Sequence, residues 1–201
     1  MKTRAGSVRR GLEEGARLLT LTLETEEERI EAMADLFAKA ATRRRTIFFC
    51  GNGGSAAEAQ HLATELVARF LMDRAAIPAV ALTTDTSLLT AIGNDTGFDQ
   101  VFARQIEALG RRGDLLVAMT TSGRSPNVLA AVAAARRLGM TVIGMTGVSG
   151  RSFARRCDLA LVVPSRETPR VQEVHLVVGH LCCERAEQAL RARPRRRRAR
   201  R

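Results

Sequence analysis

The chain has 201 residues, 45% hydrophobic and 26% charged, a composition that supports one folded domain and excludes a disordered chain. No stretch is long and apolar enough for a membrane span, and the N-terminus has no apolar segment before a small-residue cleavage site, which argues against Sec export. The net charge of +11 is mostly a tail: the last eleven residues, RARPRRRRARR, hold eight arginines, and the rest is nearly balanced at 24 basic against 21 acidic residues.

In chain order, residues 8–42 carry Leu, Ile, Met and Ala on a helical period and predict one or two helices, with Glu24, Glu26, Glu27 and Glu28 suited to a helix N-terminus. Such an amphipathic stretch is too short for a core of its own, so a subunit interface is expected there. Short apolar, β-branched runs then predict strands at 46–50, 79–83, 115–119, 141–145 and 159–163. Helical periods lie between and after them, at about 56–70, 86–92, 99–109, 126–138, 150–156 and 169–191. The alternation predicts a three-layer α/β fold, a doubly wound parallel sheet of five strands. The expected organisation is an N-terminal helical oligomerisation segment (1–45), the α/β domain (46–192) and a solvated Arg-rich tail (193–201).

In such a sheet, ligands bind beyond the carboxyl ends of the strands, so the βα loops carry the information. Two are unusual. Cys50-Gly-Asn-Gly-Gly-Ser-Ala56 leads from the first strand into a helix whose free N–H groups attract an anion. Thr120-Thr-Ser-Gly-Arg-Ser-Pro126 surrounds one glycine with four hydroxyls, and Pro126 suits a first helical turn. Together they point to a phosphorylated small molecule. Neither contains Gly-Lys-Ser/Thr, which excludes a Walker A loop. Gly51-x-Gly53-x-x-Ala56 fits a permissive dinucleotide pattern, but Asp85 comes 34 residues after Gly51, too far for the ribose-binding acid.

His61 and Glu65 stand four apart on one helical face, able to hold a divalent metal or to form an acid/base pair, although a solvated pair is the ordinary alternative. The last helix supplies Gln172, Glu173, His175 and His180. On a straight helix Gln172 and His180 lie about 12 Å apart along the axis. Sharing one site therefore asks for a distortion near Gly179 or a contribution from another subunit.

The combination Gly51-Asn-Gly-Gly-Ser-Ala-Ala-Glu-Ala-Gln-His61-Leu-Ala-Thr-Glu65, then Leu89-Thr-Ala-Ile-Gly-Asn94-Asp95, then Thr121-Ser122-Gly123-x-Ser125, then Arg170-Val-Gln172-Glu173-Val-His175 and His180, resembles the bacterial phosphoheptose isomerases of the sugar-isomerase (SIS) fold. The resemblance covers roughly residues 8–190. It implies conversion of D-sedoheptulose 7-phosphate to D-glycero-D-manno-heptose 7-phosphate on the way to ADP-heptose and lipopolysaccharide core. It further implies a cytoplasmic homotetramer with active sites between subunits and one zinc per site. By the same resemblance, His61, Glu65, Gln172 and His180 match metal positions. Asn52, Gly53, Gly54, Ser55, Glu65, Asn94, Asp95, Thr120, Thr121, Ser122, Ser125 and Gln172 match substrate positions. A ketose–aldose shift moves a proton between adjacent carbons through an enediol and needs a base and an acid, which assigns Glu65 and His180 respectively.

Arg124 departs from the family, which usually has Asn there, and either tightens phosphate binding or faces solvent. The Arg-rich tail is a second departure. The rival reading is a non-enzymatic SIS-fold tetramer of the replication-initiator-associating type, in which the positions of Glu65 and His180 are non-catalytic. With aromatics at 3%, nucleic acid is expected only nonspecifically, through the tail. Cys182 and Cys183 fall on an apolar course and read as core, and four cysteines without a C-x-x-C pair suit a reducing cytoplasm.

Overall fold

A computed structural model describes residues 5–191; the Arg-rich 193–201 segment lies outside the described residues. The elements are α1 (Ala5–Thr42), β1 (Ile47–Cys50), α2 (Gly54–Val67), β2 (Ala79–Ala81), α3 (Thr86–Asp95), α4 (Ala103–Leu109), β3 (Leu115–Met119), α5 (Pro126–Arg137), β4 (Thr141–Gly147), α6 (Arg151–Ala154), β5 (Leu159–Val163) and α7 (Thr168–Arg191). The five strands are all parallel, in the order β2-β1-β3-β4-β5.

Both faces of the sheet are covered, which is why its strands read as continuous apolar runs. Ile47 and Phe49 of β1, with Leu115, Val117 and Met119 of β3, pack beneath α1, α2 and α7. The alternate residues Phe48, Cys50, Leu116 and Ala118 face Phe102, Ile106, Val128 and Phe153 on the other side. Each fully buried large side chain of this kind contributes roughly 1.5–3 kcal/mol.

Helix α1 is one uninterrupted helix of 38 residues, so the Glu24–Glu28 stretch is mid-helix and not an N-terminus. The reason is tertiary: Leu18, Met33, Ala34 and Phe37 continue one apolar stripe through that stretch into the core shared with α7. Arg185 of α7 binds Asp35 at 2.8 Å and also pairs with Glu31.

Other boundaries shift as well. Helix α2 starts at Gly54 and stops at Val67, earlier than periodicity predicts at both ends. The predicted 99–109 helix is a 3-10 turn (Phe98–Gln100) followed by α4, and the predicted 150–156 helix is a 3-10 turn (Val148–Gly150) followed by α6.

Candidate active site at the carboxyl ends of the strands

The two unusual loops lie side by side, because β1 and β3 are neighbours in the sheet and both loops leave the same end. Gly53 (φ +56°) and Gly123 (φ +69°) sit in backbone regions that disfavour L side chains, and a Cβ on Gly123 would come within 2.5 Å of Gly150 Cα. A reciprocal amide pair joins the loops: Asn52 Nδ2 donates to Asn127 Oδ1, and Asn127 Nδ2 to Asn52 Oδ1, each at 2.9 Å. Asn127 is buried in the first turn of α5, so the N-termini of α2 and α5 are held together. Pro126 opens α5 as the sequence predicts.

Within the second loop, the Thr120 and Ser125 hydroxyls are 3.1 Å apart, and the Gly123 N–H donates to Thr120 Oγ1 at 3.2 Å. Thr146 Oγ1 of β4 donates to the Thr120 carbonyl at 2.6 Å and ties in the third strand end. Thr121 and Ser122 are half-buried, while Arg124 is exposed. Hydroxyls and helix N-termini concentrated in this way form a cradle for an anion without a lysine.

The second cluster stands one to three turns along α2. His61 Nε2 and His180 Nε2 are 2.8 Å apart, and His61 Nε2 is 3.4 Å from Glu65 Oε1. Ligand atoms from all three residues lie within 4.8 Å of one another, and two imidazoles with one carboxylate suit a zinc ion. Gln172 is elsewhere: its Nε2 donates to Ser55 Oγ at 3.4 Å, at the start of α2. The parallel packing of α2 on α7 accounts for this, since Ser55 meets Gln172 while Leu62 meets Gly179. Within one chain the helix spacing therefore separates Gln172 from His180. Asn94 Nδ2 donates to Asp95 Oδ1 at 2.8 Å at the end of α3, and no hydrogen bond or ion pair among the described residues ties either to the loops. Helix α3 buries none of its residues.

Burial lowers the pKa of His180, helped by neighbouring His61 and opposed by Glu65, so the neutral imidazole is favoured. Phe70 stacks on the His180 ring, with centroids 5.2 Å apart and planes inclined by 20°. Two further groups lie beneath the loops. Glu58, beside Ser55, has a buried Oε2 without a partner, and burial pushes its carboxyl up to about 7 against the opposing Ser55 hydrogen bond. His175 is fully buried with neither ring nitrogen hydrogen-bonded; burial pulls its pKa down to about 4, although the backbone of Thr146 is nearby. Sequence reasoning did not single out Asn127, Glu58 or Phe70. The one available signal was a carboxylate at the apolar spacing of α2, three residues from both Ser55 and His61.

A parallel α/β sandwich with a glycine-rich and a hydroxyl-rich loop side by side and a His/Glu/His group along α2 and α7 defines a sugar-phosphate-binding protein of the SIS class, and the family described as "SIS domain" matches residues 12–147. Phosphoheptose isomerase of Nitratidesulfovibrio vulgaris is 54% identical over 171 residues, 85% of this chain and 82% of that protein. That of Rhodospirillum rubrum is 58% identical over 144 residues, 72% and 77% of the two chains. The solved phosphoheptose isomerase of Neisseria gonorrhoeae superposes with a TM-score of 0.87 at 42% identity, covering 92% of this chain and all of that one. The chain belongs to the phosphoheptose isomerase family.

Proposed function

We propose that the protein interconverts D-sedoheptulose 7-phosphate and D-glycero-D-manno-heptose 7-phosphate, with Glu65 and His180 moving the proton. As a member of this family it is an aldose–ketose isomerase. The observation that carries the proton-transfer assignment is the approach of Glu65 and His180, 115 residues apart in sequence, around His61.

The phosphate is held by the loop hydroxyls of Ser55, Thr120, Thr121, Ser122 and Ser125 and by the N–H groups at Gly53 and Gly54. Asn52, Asn94, Asp95 and Gln172 contact the sugar. Asn94 and Asp95 sit apart from the loops in one chain, and exposed α3 carries them, which favours their service in a site shared with a second subunit. At the reacting carbons, Glu65 takes the proton from one carbon and returns it to the next. His180 donates a proton to the carbonyl oxygen as the enediol forms and recovers one from the neighbouring hydroxyl as the new carbonyl forms. His61, Glu65 and His180 would hold a zinc ion, with Gln172 reaching it only by giving up Ser55. Bound there, zinc supplies positive charge beside the developing oxyanion. A homotetramer is supported by the exposed apolar residues Leu12, Leu19, Leu23, Val177 and Leu181 on α1 and α7. A cytoplasmic location suits the four free cysteines. The non-enzymatic adaptor is not favoured, since its counterpart would have no use for this proton-transfer pair.

The test is turnover of sedoheptulose 7-phosphate by the purified protein, with Glu65→Gln and His180→Gln alongside. Each substitution is expected to lower kcat by about 10²–10⁴-fold with the oligomer intact. Absence of turnover in the wild type, with and without added zinc, would sink the reading.

A further inference from the structure

Helix α2 ends at Val67, but the N–H groups that follow are not left to water. The Glu187 carboxylate, fully buried on α7, accepts from the N–H groups of Phe70, Leu71 and Met72 at 2.8, 2.8 and 3.0 Å, and from Arg74 Nε at 2.9 Å. Burial opposes its ionisation, yet the three backbone donors and Arg74 prevail and hold its pKa below the ordinary carboxylate value. Arg74, almost wholly buried, caps the end of α2: Nη2 donates to the Glu65 carbonyl at 2.6 Å and Nη1 to that of Leu66 at 2.7 Å. One ion pair thus grips the backbone of Glu65 on one side and the backbone of Phe70 on the other.

Phe70 carries the grip to His180. Its ring lies nearly parallel to the imidazole at 5.2 Å, while His61 meets the same imidazole edge-on at 5.0 Å and 69°. The outer torsion of a histidine is broad and has no sharp preference of its own. Proton transfer, by contrast, needs heavy atoms within hydrogen-bond reach, and a 1 Å displacement costs about 10²-fold in rate.

We propose that Phe70, fixed by the Glu187–Arg74 pair, is a positioning residue that sets the plane of the His180 imidazole for proton transfer. The inference rests on the reading of Glu65 and His180 given above. A flat ring on one face removes the imidazole's rotational freedom, and an aliphatic side chain of similar bulk does not. Through these hydrogen bonds the Glu187–Arg74 pair ties the backbone that carries Phe70 to the end of α2.

The experiment compares full-length wild type with Phe70→Leu, Phe70→Met and Phe70→Tyr, measuring kcat, KM and melting temperature with sedoheptulose 7-phosphate, and includes Glu65→Gln. The aliphatic variants are expected to lose about 10- to 100-fold in kcat at little changed KM, a loss of correct geometry and not of binding. Phe70→Tyr should keep most of the activity at a melting temperature matching the better-folded aliphatic variant. Near-wild-type kcat in that variant, an equal loss in Phe70→Tyr, or an effect confined to KM would overturn the proposal. Full turnover in Glu65→Gln would overturn the proton-transfer reading itself, and the positioning role with it.

Discussion

His175 and Glu58 each sit where a charge is costly, and they bend the stability curve from opposite ends. His175 binds a proton at about pH 4 in the folded chain against 6.5 when free, so between those values the unfolded chain holds the extra proton. Its contribution is complete above pH 6.5 and is lost as pH falls toward 4, by about 3 kcal/mol at 1.36 kcal/mol per unit. His175→Leu should flatten the acid limb of a melting-temperature profile; an unchanged limb would show that other groups dominate it. Glu58 works in reverse. Its pKa of about 7 against 4.5 means that stability present below pH 4.5 is lost as pH rises through 7. Glu58→Gln should therefore raise the melting temperature more at pH 8 than at pH 5, and equal shifts at both would count against a buried, protonated carboxyl. Neither shift was legible in the sequence, where Glu58 is marked only by its place at the apolar spacing of α2 and His175 stands in a ligand-like set with Gln172, Glu173 and His180.

At the level of elements, the packing of α2 on α7 sets the site, and Gly179 sets the packing. A Cβ at Gly179 would stand 2.7 Å from both terminal methyls of Leu62, itself fully buried and unable to retreat. Gly179→Ala gains up to about 1 kcal/mol of helix propensity, but overpacking costs roughly 1–3 kcal/mol. The helices should separate next to His180, so the variant is expected to lose kcat together with a few degrees of melting temperature. Adding Leu62→Val should restore part of both, and a Gly179→Ala enzyme with wild-type kcat would show that the contact is not needed. The strands were legible because a sheet covered on both faces leaves uninterrupted apolar runs, and the loops because glycine and hydroxyl residues cluster visibly at Gly51–Ser55 and Thr120–Ser125. What was not legible depends on distant partners. Helix α2 stops at Val67 because Glu187, more than a hundred residues later, takes the next N–H groups. The glutamates of α1 stay mid-helix because Met33 and Phe37 keep the helix on the core beyond them.

For the whole molecule, the unanswered demand is the apolar surface that one chain leaves outside. Leu23 is 55% exposed on α1, and Val177 and Leu181 on α7 are 40% and 47% exposed beside it, lining one groove with Leu19, Ile30 and Val174. Side chains of this size contribute roughly 1.5–3 kcal/mol each when covered. A second copy covering the groove also offers a way for α3, with Asn94 and Asp95 at its end, to reach a site that one chain leaves without them. On the proposed reading, the place of His180 between Val177 and Leu181 on α7 joins assembly and catalysis along one helix. Leu23→Glu combined with Val177→Glu places two charges where apolar contact is required, while both positions remain solvated in the separate chain. Light scattering should then report a smaller species of unchanged helix content, with turnover reduced at least tenfold even when the His61–Glu65–His180 group is intact. A double variant that keeps both its oligomeric mass and its turnover would remove this groove from the interface.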